Sequence, residues 1–346
     1  MEKKIVTFGE VLLRLSKPSC LRLSQSARFL GNYGGSEANA AVSLATFGNN
    51  VEYVTRIPDN ALGRACCMRL REYGLHLDHL CYGGDRLGTY YFEEAAAMRS
   101  SNVVYDRQNS SFYSMAPGMI DWHDVFRDTR LFHCSGITCA ISQSAADATM
   151  EAVRVADELG LRISCDINYR KNLWRYGADA HDTLHALMQY SDFVFGDQNE
   201  WEVVSGKSHI PFEAINSHYE LDLNAYYAYF EELHRQFPRC KEMLMGLRNQ
   251  ITTNHHTLSG VLWEALPQPV NGWSGRIYTT RIYDIYPVVD PMGVGDAFVA
   301  GFLHARGKWG DNLQRCLDFS LAASQLKNSV PGDFNLVTEE EVISQM

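Results

Sequence analysis

A short turn near the end of the chain places two glycines directly before a carboxylate, in the order Gly293-Val294-Gly295-Asp296. The apolar run that follows this turn predicts a helix. Glycine allows a bound group to approach the backbone closely because it has no Cβ. The free N–H groups at the start of a helix, together with the positive end of its dipole, bind anions. The turn therefore predicts an anion site with a carboxylate beside it.

The position of Asp296 indicates acid–base chemistry rather than anion binding. A carboxylate repels a bound anion, so it is better placed to take a proton from an incoming hydroxyl group while the N–H groups hold a phosphoryl group. That arrangement suits phosphoryl transfer. The alternative is that Asp296 is an ordinary N-cap residue. The turn lacks the GK[ST] ending of a Walker A loop and the third glycine of a dinucleotide fingerprint.

Strand-like and helix-like segments alternate along most of the chain, which predicts an α/β fold with a mostly parallel sheet covered by helices on both faces. The segment YDIYPVVD predicts a strand that ends at Asp290, immediately before the glycine turn. The segment SEANAAVSLATFG predicts a helix with Ser36 as its N-cap. We expect residues 1–346 to form a single domain.

Two segments, roughly 11–35 and 85–115, interrupt this alternation. They contain short β-like pieces rich in tyrosine and arginine, with no helix between them. They predict a small β-sheet lid over the main sheet. Because exposed sheet edges pair readily with other strands, we expect a homo-oligomer that assembles through the lid.

The composition excludes several classes of partner. The 346 residues carry a net charge of −10 and no cluster of lysine and arginine, which makes nucleic acid and anionic membranes poor partners. No apolar stretch reaches 18 residues, so we expect no membrane span. The nine cysteines are scattered without a CxxC motif, which predicts reduced thiols and a cytoplasmic location. An anionic ligand must then be held by a local site rather than by the overall charge.

Three motifs of the chain resemble those of the ribokinase-like (PfkB) carbohydrate kinases. The family's D-[ST]-x-G-A-G-D signature is similar to residues 290–296, where proline and valine replace two of the usual residues. Its Gly-Gly pair with a downstream asparagine is similar to residues 34–39, and its N-x-x-E element to residues 199–202. The resemblance implies a three-layer αβα core and a kinase that uses ATP and Mg²⁺. It also implies that Asp296 is the catalytic base and that Gly293, Val294 and Gly295 form the anion hole.

Within this family, the stretches GGSEANAAVSLATFG, LFHCSGIT and CDINYRKNLW look most like those of 2-keto-3-deoxygluconate kinases. The resemblance implies transfer of the ATP γ-phosphoryl group to the C6 hydroxyl of that sugar acid. It implies a sugar-acid pocket lined by Gly35, Asn39, Tyr90, Tyr105, Arg107 and Arg170.

The two arginines fit an acidic substrate because a guanidinium group binds a carboxylate through two parallel hydrogen bonds. The alternative is that Arg107 and Arg170 are strand-edge residues paired with surface acids. Two other functions stay open: a kinase for fructose, ribose or another sugar acid, and a nucleotide- or sugar-binding protein without catalysis.

The predicted nucleotide site departs from the family pattern. The K-x-G-x-x-G turn is absent, and Arg248 stands where a lysine is frequent. The resemblance implies that Asn199, Arg248, Gly260 and Asn328 contact the nucleotide, and that Glu202 acts on Mg²⁺ through water. The alternative for Arg248 is an exposed hairpin arginine.

Overall fold

The computed structural model describes residues 3–97, 99–208, 210 and 218–346. Strands and helices alternate in it as the sequence predicts. The strands are β1 (Lys4–Phe8), β2 (Leu12–Ser16), β3 (Leu30–Gly34), β4 (Val51–Val54), β5 (Arg56–Ile57), β6 (Cys81–Tyr82), β7 (Gly88–Glu93), β8 (Asn102–Asp106), β9 (Thr129–Ser135), β10 (Arg162–Asp166), β11 (Phe193–Gly196), β12 (Glu242–Thr252), β13 (His255–Val270), β14 (Trp273–Thr279) and β15 (Tyr283–Ile285).

The helices in the described part of the chain are α1 (Ser36–Thr46), α2 (Ala61–Glu72), α3 (Trp122–Val125), α4 (Gly136–Cys139), α5 (Gln143–Glu158), α6 (Ala180–Met188), α7 (Gln198–Ser205), α8 (Leu223–Gln236), α9 (Val294–Trp309), α10 (Leu313–Lys327) and α11 (Glu339–Ser344). Short 3-10 turns lie at Pro18–Cys20 and Phe112–Ser114.

The main sheet has the strand order β14-β13-β12-β11-β10-β9-β1-β4, with β15 paired to β13. Six neighbouring strands of this sheet run parallel: β4, β1, β9, β10, β11 and β12. Strand β13 is antiparallel to β12, β14 and β15. In a sheet of this kind, ligands bind outside the carboxyl ends of the parallel strands. The loops after β1, β9, β10 and β11 are therefore the place to look for a site.

Two apolar cores cover the two faces of this sheet, which makes the architecture three-layered. Side chains of α1, α2, α9 and α10 form one core, and side chains of α3 to α8 form the other. Successive strand residues alternate between the two: Ile5 belongs to the first core and Val6 to the second. Strands buried on both faces are the expected product of βαβ connections. The predicted αβα core is confirmed.

A separate four-stranded sheet, which we call the lid, has the order β3-β2-β7-β8. Its strands fall within the predicted segments 11–35 and 85–115, of which residue 98 lies outside the described residues. Strands β2 and β7 are parallel, and the two outer pairs are antiparallel. Strands β3 and β8 form its two edges. Assembly of subunits through these edges stays a prediction, as does the single domain over residues 1–346.

Two predicted element boundaries are wrong, and both lie at the glycine turns. The strand expected to reach Asp290 ends at Ile285, because Pro287 has no N–H to donate to a neighbouring strand. The backbone N–H groups of Val289 and Asp290 instead donate to the carbonyl oxygen of Asn328. Ser36 is not an N-cap residue, since Gly35 occupies that position before α1.

All nine cysteines are free thiols, as the sequence predicts; a cytoplasmic location stays a prediction. Within the described ranges, no helix combines the length and the hydrophobicity that a membrane span requires.

Candidate active site

A cavity of about 750 Å³ lies between the lid and the carboxyl ends of the parallel strands. Side chains from the lid, from α1 and from the loops after β1, β10 and β11 line it, together with the start of α9 and parts of β12 and β13. The structure thereby brings together residues that the sequence places far apart. The predicted residues that line the cavity are Gly35, Asn39, Tyr90, Tyr105, Arg107, Arg170, Arg248, Gly293, Val294, Gly295 and Asp296.

The turn before α9 has the geometry that its glycines predict. Gly293 adopts a left-handed conformation with φ +77°, and a Cβ on it would lie 2.1 Å from the carbonyl oxygen of Asp333. A Cβ on Gly295 would meet no atom within 4 Å. The first intrahelical hydrogen bond runs from the N–H of Ala297 to the carbonyl oxygen of Gly293. The N–H groups of residues 294–296 therefore lie ahead of the helical ladder, beside the cavity.

The carboxylate of Asp296 does not cap its own helix. Gly293 is the N-cap of α9, and a glycine has no side chain with which to cap the helix. Asp296 instead accepts hydrogen bonds of 2.7 Å from Ser36 Oγ and from Asn39 Nδ2, both at the start of α1. Burial raises the pKa of Asp296, although these two donors partly oppose the effect. A fixed carboxylate with a raised pKa fits the task of a general base.

A short hydrogen-bond chain connects Asp296 to strand β10. Asn168 Nδ2 donates to Ser36 Oγ at 2.8 Å and to Asp166 Oδ2 at 3.2 Å. Burial, together with the nearby charges of Glu200 and Asp296, raises the pKa of Asp166. Ser36, Asp166 and Asn168 also line the cavity. The sequence analysis missed them, although the position of Asp166 and Asn168 at the end of a parallel strand was a usable signal.

Arg107 is buried at the lid side of the cavity and pairs with a buried acid. Its Nε donates to Glu10 Oε2 at 2.6 Å, and Glu10 follows strand β1. Its Nη1 is buried without a hydrogen-bond partner among the described residues. A buried donor without a partner is costly, so this atom is available to an acceptor that enters the cavity. The alternative of a surface acid as its partner does not hold for Arg107, because Glu10 is 2% exposed.

Arg170 lines the same cavity as Arg107 and pairs with Glu200 of α7 at 3.0 Å. Arg248 of β12 faces the same region. Partial removal from water and the like charge of Arg170 both lower the pKa of Arg248. The guanidinium groups of Arg170 and Arg248 together form a site for a ligand with several negative charges.

Asn39 and Asn168 present further unpaired atoms to the cavity. The Oδ1 atoms of both side chains are buried and have no partner among the described residues. Each side chain is held in place by the hydrogen bonds that its Nδ2 donates. Two fixed acceptors beside a carboxylate suit a ligand that carries several hydroxyl groups.

Several predicted residues are not brought to the cavity lining: Asn199, Glu202, Gly260 and Asn328. Gly260 pairs with Gly246 inside the β12–β13 ladder and packs near Phe298. Asn328 supports the turn before α9, because its carbonyl oxygen accepts from the N–H groups of residues 289 and 290. On α7, Glu200 rather than Glu202 faces the cavity.

A known protein family matches most of this chain. The model of the "pfkB family carbohydrate kinase" matches residues 2–236. The chain belongs to the PfkB family of carbohydrate kinases. The chain is therefore a carbohydrate kinase.

The chain is similar along nearly its whole length to kinases named for several sugars. The chain is 28% identical to a 2-dehydro-3-deoxygalactonokinase of Haloferax volcanii over 343 residues, which cover 99% of this chain and 96% of the relative. It is 34% identical to the crystal structure of a 2-dehydro-3-deoxygluconokinase from Thermotoga maritima, with a TM-score of 0.88 and coverage of 99% of both chains. A fructokinase from Xylella fastidiosa with bound ATP shares the fold at 20% identity, with a TM-score of 0.72 and coverage of 100% of this chain and 98% of the other.

Proposed function

We propose that this protein transfers the γ-phosphoryl group of ATP to a terminal hydroxyl of a 2-dehydro-3-deoxy sugar acid, with 2-keto-3-deoxygluconate as the first candidate and phosphorylation at C6. The observation that carries the proposal is the shared cavity, in which Asp296 and the start of α9 lie together with Arg107 and Arg170. Galactonate and gluconate forms of the substrate differ only in the configuration of one hydroxyl group. The names of the two relatives support either form.

Asp296 acts as the general base in this proposal. Its raised pKa favours acceptance of a proton from the sugar hydroxyl, and the hydrogen bonds from Ser36 and Asn39 fix the carboxylate for that step. A positioned base of this kind contributes roughly 10²–10⁴-fold to the rate. The hydroxyl oxygen then attacks the γ-phosphorus as the bond to the β–γ bridging oxygen of ATP breaks, with ADP as the leaving group.

The N–H groups of Val294, Gly295 and Asp296 stabilise the negative charge on the moving phosphoryl group. They are free because they precede the first helical hydrogen bond. Donors that are already aimed at the developing charge need no reorganisation during the reaction. The left-handed conformation of Gly293 gives the turn its shape.

Arg107 binds the carboxylate of the sugar acid in this proposal. Its unpaired Nη1 supports this role, and Tyr90 and Tyr105 lie beside it on neighbouring lid strands with ring centroids 6.2 Å apart. Asn39 and Asn168 offer acceptors for the sugar hydroxyls. Arg170 lines the same cavity and can contact the carboxylate or the phosphates.

MgATP is the second substrate in this proposal, and Arg248 contacts its phosphates. A magnesium ion that arrives on phosphate oxygens needs only one or two protein carboxylates. Asp197 and Glu200 line the cavity beside Arg170 and are the residues that would hold its waters, in place of the predicted Glu202. The ion would neutralise charge on the phosphates, and every other contribution described above comes from the chain itself.

A coupled assay of ADP release across a panel of substrates tests the proposal. The panel contains 2-keto-3-deoxygluconate, 2-keto-3-deoxygalactonate, gluconate, fructose and ribose. We expect the two deoxy sugar acids to give kcat/KM values at least tenfold above those of the neutral sugars, because the arginines then have a carboxylate to bind. Higher values for fructose or ribose would refute the acidic substrate. Thermal stabilisation by ATP without product from any member of the panel would favour a binding protein without catalysis.

A further inference from the structure

A buried lysine lies directly behind the predicted anion hole and takes no part in the mechanism so far described. Lys327, the last residue of α10, has no exposed surface. Its Nζ donates to the carbonyl oxygens of Val330 at 2.9 Å and of Asp290 at 3.5 Å. A Cβ on Gly293 would lie 3.4 Å from its Cε. The ammonium group is therefore packed against the back of the turn whose front faces the cavity.

The charges around this lysine explain why a cation is present. Arg14 of the lid bridges the carboxylates of Asp290 and Asp333 at 2.9 Å each, and Tyr90 of the lid donates to Asp333. All of these groups are buried. A single guanidinium balances only one of the two carboxylates, so the cluster without Lys327 would keep a net negative charge behind the anion hole. Burying an unbalanced charge is costly, and the charge would also repel an incoming phosphoryl group.

We propose that the ammonium group of Lys327 is a positioning residue and built-in counter-charge for the anion hole, which it supports through the backbone of the turn that contains Gly293. It holds the carbonyl oxygen of Asp290 on one side of the turn and balances the carboxylates of Asp290 and Asp333. The inference rests on the proposed function, because it assigns the turn to the γ-phosphoryl group. Lys327 does not line the cavity, so it acts from behind the N–H groups and not by contact with substrate.

The charged groups that face Lys327 come from four elements. They are Arg14 of β2, Asp290 of the turn, Asp296 of α9 and Asp333 of the loop after α10. Burial lowers the pKa of Lys327 to about 8, even though the three carboxylates oppose the shift. An ammonium group loses its proton as the pH rises through its pKa. Its support of the anion hole is therefore present below about pH 8 and is lost above it.

The test compares the wild type with Lys327→Met, which keeps the length of the side chain and removes the charge. We expect the dissociation constant of AMP-PNP, which carries a γ-phosphoryl group, to rise about tenfold, while that of ADP changes less than about twofold. With a sugar acid that the wild type turns over, kcat is expected to fall about tenfold to a hundredfold at an unchanged sugar KM. A merely structural role would weaken AMP-PNP and ADP alike. That result, or unchanged affinity for both, would overturn the inference.

Two further measurements separate the possible failures. If the wild type turns over none of the sugars, the proposed function fails, but the comparison of AMP-PNP with ADP still tests Lys327. If Lys327→Met does not fold, the wild type provides the readout, since its affinity for AMP-PNP is expected to fall above about pH 8 while its affinity for ADP stays level. An AMP-PNP affinity that stays constant relative to ADP up to pH 9.5 would contradict the inference.

Discussion

The two ends of the cavity are lined by different types of side chain. The lid end contains Glu10, Tyr90, Arg107 and Asp333, all buried and joined to one another or to the core by ion pairs and hydrogen bonds. The hairpin end, next to β12 and β13, presents Arg248 among a group of apolar side chains: Leu247, Leu258, Phe298, Val299 and Leu321. An end with fixed charged groups can discriminate between substrates. An apolar end offers contact area for the planar adenine ring of a nucleotide.

This difference indicates that the two ends of the cavity bind different ligands. In the proposed function, the lid end recognises the sugar acid through a small number of oriented groups, and the loss of any one of them leaves a buried partner without its bond. We expect the hairpin end to bind the nucleotide through many weak contacts, none of which is essential. The turn between them, with Gly293 and Asp296, belongs to both, so substitutions there are expected to have the largest effects.

The largest effect is expected from Asp296→Asn, which removes the base at the boundary between the two ends. We expect kcat to fall roughly 10²–10⁴-fold, with sugar-acid binding within a few-fold of the wild type. Steady-state kinetics and calorimetry measure the two quantities. Asp182→Asn, on the exposed surface of α6, is the matched control. In the wild type, activity should fall as the pH is lowered through the raised pKa of Asp296, because the protonated carboxyl cannot accept a proton. Unchanged turnover in Asp296→Asn would remove the assigned role.

The second effect concerns the shape of the turn. In Gly293→Ala, the new methyl group would collide with the carbonyl oxygen of Asp333, and the left-handed backbone is unfavourable for alanine. We expect a lower melting temperature and a loss of kcat of about 10²–10³-fold, because the N–H groups move away from the phosphoryl group. Gly295→Ala has open space for its methyl group and should keep the melting temperature of the wild type. Equal stability of the two variants would show that the turn tolerates a side chain at Gly293.

A smaller effect is expected at the lid end. The double substitution Arg107→Met and Glu10→Gln removes the guanidinium without leaving a buried carboxylate unpaired. We expect the KM of the sugar acid to rise about tenfold or more and the KM of any neutral sugar that is turned over to stay within about twofold. Arg64→Ala, whose ion pair with Asp59 is exposed, is the control. Equal losses for acidic and neutral sugars would refute the contrast between the two ends.

The smallest effect is expected at the hairpin end. Arg248 is exposed and lines the cavity among apolar side chains, so Arg248→Met should raise the KM of ATP by about fivefold or less and leave the KM of the sugar acid unchanged. A loss as large as that of the Arg107 double substitution would show that the hairpin end also depends on single charged groups.

Some parts of the site can be predicted from the sequence and others cannot, for a physical reason. The turn at residues 293–296 and the glycine at residue 35 were predictable because their conformations need particular residue types over a short stretch; a Cβ on Gly35 would lie 2.2 Å from the carbonyl oxygen of Glu10. The buried cluster of Arg14 and Asp333 was not, because residues 319 positions apart meet only after folding. Glu202 was predicted from a motif, but the helix turns Glu200 toward the cavity instead.

The central claim is that one cavity brings the sugar hydroxyl to Asp296 while the start of α9 holds the γ-phosphoryl group. A crystal structure of the protein with 2-keto-3-deoxygluconate and AMP-PNP tests it most directly. We predict the C6 hydroxyl oxygen at about 2.6–3.2 Å from a carboxylate oxygen of Asp296, the γ-phosphoryl group at the N–H groups of residues 294–296, and the sugar carboxylate on Arg107. A sugar bound with its carboxylate toward α9, or outside the cavity altogether, would contradict the account.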